Sequence, residues 1–70
     1  MNILIQLGKR IRYLRKEKKW SQLDLALESD VNRNYISDLE KGRRNPTILV
    51  LEKIAIALKI DLATLLKGIQ

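Results

Sequence analysis

Seventy residues, 46% of them hydrophobic and none of them cysteine or histidine, make one small domain over residues 1–70 that rests on its packed core alone. Without thiols or imidazoles, thiolate catalysis, disulfides and the commonest metal ligand and general base are excluded, and no metal, cofactor or small-molecule ligand is expected. No apolar run approaches a membrane span, the apolar start from Met1 to Leu7 meets charge without a small-residue cleavage site, and the missing cysteine is compatible with a reducing cytoplasm.

The first helix is expected after Asn2 and runs to about Lys18. Leu4, Leu7, Ile11 and Leu14 recur at spacings of three and four and form its buried stripe. Ile3 and Ile5 lie beside that stripe and fit three roles: core filler, fraying end or partner surface. Lys9, Arg10, Arg12, Lys16, Lys18 and Lys19 take the wet face.

Ser21 then caps a second helix from Gln22 to about Glu28, with Asp24 complementing the positive helix end and Trp20 able to staple against Leu25. Ser29, Asp30 and Val31 interrupt it. Asn32 caps a third helix that begins at Arg33, so two short helical periods, about 22–40, are joined by a tight turn. Val31, Tyr35, Ile36 and Leu39 fall on or near one stripe of the third helix. The opposite face holds Arg33, Asn34, Ser37 and Asp38, and each of these side chains can donate or accept a hydrogen bond in a DNA major groove. Arg33 suits guanine O6 and N7, Asn34 suits adenine, and Asp38 suits cytosine N4, with Ser37 as an adaptable fourth contact. For Asp38 an ion pair with Lys41 on the helix surface is the plain alternative.

Gly42 reads as the left-handed stop of the third helix and is followed by Arg43, Arg44 and Asn45 in a loop. Thr47 caps a fourth helix to about Leu58, with Ile48, Leu51, Ile54, Ala55 and Leu58 facing inward. Asp61 caps a short fifth helix, Leu62 to Lys67, which Gly68 stops, and Ile60, Leu62, Leu65 and Leu66 close the core. No apolar/polar alternation persists, so the class is all-α. Leu23, Leu27, Leu49, Val50, Ile56 and Ile69 exceed what one core uses, and those of the fourth and fifth helices suit a two-fold interface.

Charge follows the same division. Residues 1–20 carry +6, residues 21–40 carry −4 and residues 41–70 carry +4. Two basic flanks on either side of a reading head suit a polyanion, although a basic surface is also common in small solvated domains.

Gln22, Ala26, Val31, Ile36 and Leu39 with Glu40, followed by GRRNP at 42–46, resemble the helix-turn-helix of the phage-repressor (Cro/Xre) family. WSQ at 20–22, YISDLEKGRRNPT at 35–47 and LEKIAIAL at 51–58 fall where that family has them, so the resemblance spans about Ile3 to Leu66. RNYIS and RRNPT are also similar to the controller proteins of restriction-modification operons. Asp30 stands where many members carry glycine, as do Lys19 and Lys59 after their helices, and all three can take a left-handed conformation at modest cost.

The resemblance implies a five-helix, lambda-repressor-like fold and a double-stranded DNA-binding transcriptional regulator, not an enzyme, that acts as a homodimer on a palindrome in the cytoplasm. It places Arg15 opposite Glu40 as a pair tying helix one to helix three. It lays Arg43, Arg44 and Asn45 along the phosphate backbone, where Gln22 and Asn32, at the N-termini of their helices, are the other phosphate candidates. With nearly all of the chain given to reading, occupancy is expected to follow its own concentration and dimerisation. The competing class is a protein-interaction module of the same fold, such as an antitoxin or bridging factor.

Overall fold

Five short polar side chains begin the five helices. The computed structural model describes residues 2–70, which leaves Met1 of the apolar start outside it. In order come α1 (Ile3–Glu17), α2 (Gln22–Ser29), α3 (Arg33–Glu40), α4 (Ile48–Ala57) and α5 (Leu62–Leu65), with no strand among the described residues. Asn2, Ser21, Asn32, Thr47 and Asp61 each accept a hydrogen bond from a backbone amide two or three residues on, satisfying a donor that the first turn leaves free. At Ser21 the bond is reciprocal, since its own amide donates to the Asp24 carboxylate at 2.8 Å.

The first four helices stop by one device. Lys19, Asp30, Gly42 and Lys59 take φ of 59°, 56°, 73° and 59°. The next amide in each case returns to the carbonyl five residues back: Trp20 to Arg15, Val31 to Ala26, Arg43 to Asp38 and Ile60 to Ala55, at 2.9–3.2 Å. Lys19, Asp30 and Lys59 thus carry side chains in the conformation expected of them. Gly42 alone has none, because a Cβ there would lie 2.8 Å from Ile5 Cγ1 and 3.0 Å from Ile5 Cα.

Every helix gives at least one side chain to the core: Ile11, Leu25, Ile36, Leu39, Ile54 and Leu65 are sealed from solvent. The α1 helix lies on α3, α2 packs on both α3 and α4, and α5 closes on α4, filling 30 × 23 × 22 Å. Among the described residues no helix is long and apolar enough to cross a membrane.

Several expected positions differ. Ser29 belongs to α2 rather than to the turn: it is buried, and its hydroxyl, unable to reach water, donates to the Leu25 carbonyl at 2.6 Å. Leu4 and Leu14 are only half-buried, while Gly8 and Arg15 share the buried side of α1 with Leu7 and Ile11. Ile48 is 64% exposed although it shares a helical stripe with the buried Leu51 and Ala55, because it is the first residue of α4 and lies one turn before the packed part of that stripe. The fifth helix ends at Leu65, two residues early. Arg10 explains part of this: instead of standing free on the wet face, it donates to the carbonyls of Thr64 and Leu65 at 2.8 and 3.3 Å. Val50 and Ile69 pack half-buried against the core, which leaves Ile48, Leu49 and Ile56 as the apolar outer side of α4.

Candidate nucleic-acid interface

The α3 helix is eight residues long, too short to hold its own orientation, so its placement comes from what it packs on. On its inner side Ile36 and Leu39 are buried in the core, with Val31 just before it. At its C-terminal end α1 comes close enough that backbone meets backbone. A Cβ on Gly8 would lie 2.9 Å from the Glu40 carbonyl oxygen and closer still to that of Leu39. Only glycine permits that approach. Nothing in the sequence singled out Gly8, since an isolated glycine inside a helical period can be simply tolerated.

Beside Gly8 stands a polar clamp. Arg15 donates from Nε to Glu40 Oε2 at 2.7 Å and from Nη2 to Oε1 at 2.9 Å, while its Nη1 donates to the Trp20 carbonyl at 2.7 Å. The side chains of Arg15 and Glu40 are 9% and 4% exposed, so the pair is bidentate and dry. The Glu40 hydrogen bond, with its charge, holds Arg15 above its ordinary pKa against the opposing effect of burial. Gln22 joins from α2, its Nε2 donating to Glu40 Oε1 at 3.2 Å. The amide group read as a phosphate contact is therefore also the third member of the clamp, and α1, α2 and α3 are locked at one point.

The outer side of α3 is open. Arg33 and Asn34 are exposed, and Ser37 and Asp38 are half-exposed. Asn32 is exposed too, with its side-chain oxygen accepting from the Asn34 amide at 2.7 Å. Past Gly42, the Arg43 amide is tied back to the Asp38 carbonyl, which folds the loop over the end of α3. The two loop arginines then part. Arg43 is exposed, whereas the Arg44 guanidinium lies over the Tyr35 ring, 4.3 Å from its centroid, with Nη2 3.7 Å from Asp38 Oδ2. Asp38 thus pairs with Arg44 and not with Lys41, because the left-handed turn at Gly42 sends the loop back across this flank. Asn45, the remaining loop candidate, lines an apolar hollow with Leu4, Pro46 and Ile69. Among the described residues no group of three or more carboxylates could hold a metal ion.

Comparison with known proteins places the fold in a family. The model of the helix-turn-helix family HTH_3 matches residues 11–65. Control protein C.MunI of Mycoplasma sp. is 40% identical over 70 residues, an alignment that covers 99% of this chain and 95% of that protein. The immunity repressor protein of Bacillus phage phi105 is 40% identical over 58 residues, covering 83% of this chain but only 40% of the repressor. Among solved structures, the restriction-modification controller protein C.Esp1396I, as a tetramer in complex with its natural 35 base-pair operator, superposes with a TM-score of 0.88. The two are 33% identical, over 99% of this chain and 91% of that one.

Proposed function

The chain belongs to the helix-turn-helix family whose model spans residues 11–65, and on that premise we propose that it is a sequence-specific, double-stranded DNA-binding transcriptional regulator acting in the cytoplasm as a homodimer. The observation that carries this reading is the contrast across α3. Its inner side is locked by core and clamp, while its outer side presents Arg33, Asn34, Ser37 and Asp38 with nothing covering Arg33 or Asn34. A rigid helix with a free hydrogen-bonding face is what reading base edges requires. Arg33 reads guanine, Asn34 adenine and Asp38 cytosine, and Gln22, Asn32, Arg43, Arg44 and Asn45 hold the backbone.

A domain of this size makes few base contacts, so two copies act together. The outer side of α4 supplies the contact: Ile48, Leu49 and Ile56 are 64%, 71% and 67% exposed, with only Glu52 and Lys53 charged among the ten residues of the helix. A two-fold dimer sets two α3 helices in successive major grooves, on half-sites about 10 base pairs apart. The chain performs no catalysis.

Selection of duplexes from a random library by the purified chain tests the reading. A recovered palindrome with that spacing is the expected result; no enrichment at all would end it. Leu49→Glu is expected to leave the fold intact, shift the monomer–dimer midpoint upward by roughly tenfold or more, and weaken operator binding in step. A protein-interaction module is favoured instead if Leu23 and Leu27, 45% and 73% exposed on α2, prove to seat a protein partner that the chain binds more tightly than any duplex.

A further inference from the structure

Arg44 and Arg43 are adjacent in sequence, yet only Arg44 is engaged, and its two partners both stand on α3. Tyr35 and Asp38 are three residues apart and share one flank of that helix. Asp38 also borders Asn34 and Ser37 on the groove-facing side, so a change of rotamer carries its carboxylate from one surface to the other. The Arg44–Asp38 distance of 3.7 Å is too long for a hydrogen bond, and both side chains are nearly half open to solvent, at 46% and 41%. The ring of Tyr35 holds the guanidinium by its face, leaving the guanidinium edge able to exchange one anion for another.

A carboxylate on a DNA-facing surface is otherwise a liability, since it repels phosphate until it finds a donor. We infer that Arg44 is an exchangeable partner: in the free protein it holds Asp38, and on docking it passes to a DNA phosphate, so that Asp38 turns into the groove to accept from cytosine N4. This rests on the DNA-binding reading above and deepens it. Arg44 is then a specificity-determining residue and Tyr35 its positioning residue. Arg43, with the same charge one residue earlier and no ring beneath it, remains a plain phosphate contact. Phosphate capture by Arg44 and base reading by Asp38 become coupled, because each favours the release of the other group from the pair.

The test uses the duplex recovered by random selection with the native chain, its single-base variants, and random-sequence duplex of equal length. Arg44→Ala is expected to lose roughly tenfold or more on the recovered duplex and clearly less on random DNA, with cytosine preference weakened at the same symmetric position as in Asp38→Asn. The double variant is expected to bind better than the product of the two single losses, since removing the stranded carboxylate relieves part of the Arg44 loss. Tyr35→Phe keeps the ring and should match the native preference, whereas Tyr35→Leu should reproduce part of the Arg44→Ala profile; circular dichroism verifies the fold of each. Equal losses on both duplexes, additive effects and an unaltered base preference would overturn the exchange while leaving the regulator reading intact. Failure of the native chain to enrich any duplex would overturn both.

Discussion

Arg15 with Glu40 and Arg44 with Asp38 are both arginine–carboxylate pairs, each joining an arginine from outside α3 to an acid on it, yet their geometry and burial are opposite. The first is bidentate at 2.7 and 2.9 Å with side chains 9% and 4% exposed, and it is completed by Trp20 and Gln22. The second is a single approach at 3.7 Å with side chains 46% and 41% exposed. Removing one member of a dry pair strands a charge that water cannot reach, whereas an exposed pair is already in competition with solvent and salt. The difference teaches where α3 is fixed and where it is free. The buried contacts are concentrated on its inner side, and the proposed exchange lies only on the side left open to solvent.

The two largest effects, of similar size, belong to the inner side, and one of them contains no charge. Gly8→Ala gains roughly 1 kcal/mol of helix propensity, but it drives a methyl group into the carbonyls of Leu39 and Glu40, which are backbone and cannot rotate away. Net destabilisation is expected near the upper end of overpacking costs, at about 3 kcal/mol, in thermal or denaturant unfolding. An unchanged or raised midpoint would mean that α1 and α3 separate freely and that the rigid side of the comparison is not rigid.

Next comes the clamp. Arg15→Ala strands Glu40 and is expected to cost about 3 kcal/mol. A double-mutant cycle with Glu40→Ala should return strong coupling, and additivity would reduce the buried pair to the standing of the exposed one. On the outer side Arg33→Ala should leave unfolding unchanged and weaken the selected duplex by about 1 to 3 kcal/mol, relaxing one symmetric pair of positions. A shifted melting point with unaltered base preference would reverse its assignment.

Arg43→Ala should flatten the dependence of log K on log salt by about one unit and act alike on selected and random duplexes, as a phosphate contact does. The smallest effect sharpens the contrast most directly. Asp38→Asn should change unfolding by less than about 1 kcal/mol, measured under the same conditions as Arg15→Ala; a loss as large as that of the clamp would erase the distinction between the two pairs.

The helix starts were legible because their signals are local. Ser21, Asn32, Thr47 and Asp61 each cap the helix that follows, and Asp30, Lys19 and Lys59 take positive φ where glycine would be usual. The polar side chains of α3 were legible for the same reason, since their exposure follows from a 3.6-residue period once Ile36 and Leu39 are inside. Gly8 was not, because a glycine within a helix has no local signature that separates a tolerated residue from one on which two backbones close. Ile48 and Ser29 differ from expectation for a related reason: at the first or last turn of a short helix, whether a residue is covered depends on the neighbouring elements more than on its own period.

Sequence alone therefore settled what a short stretch of chain decides for itself: five capped helices, an all-α class, a polar face on α3 and the pairing partners that a family resemblance carries. Which arginine is dry and which is exchangeable was decided only in three dimensions. Arg15, Arg43 and Arg44 are the same side chain, and their differences come from a glycine at position 8 that admits α3, a ring at Tyr35 and a left-handed turn at Gly42. Burial and distance set the worth of a charge, and both are properties of elements brought together, not of the residues that carry it.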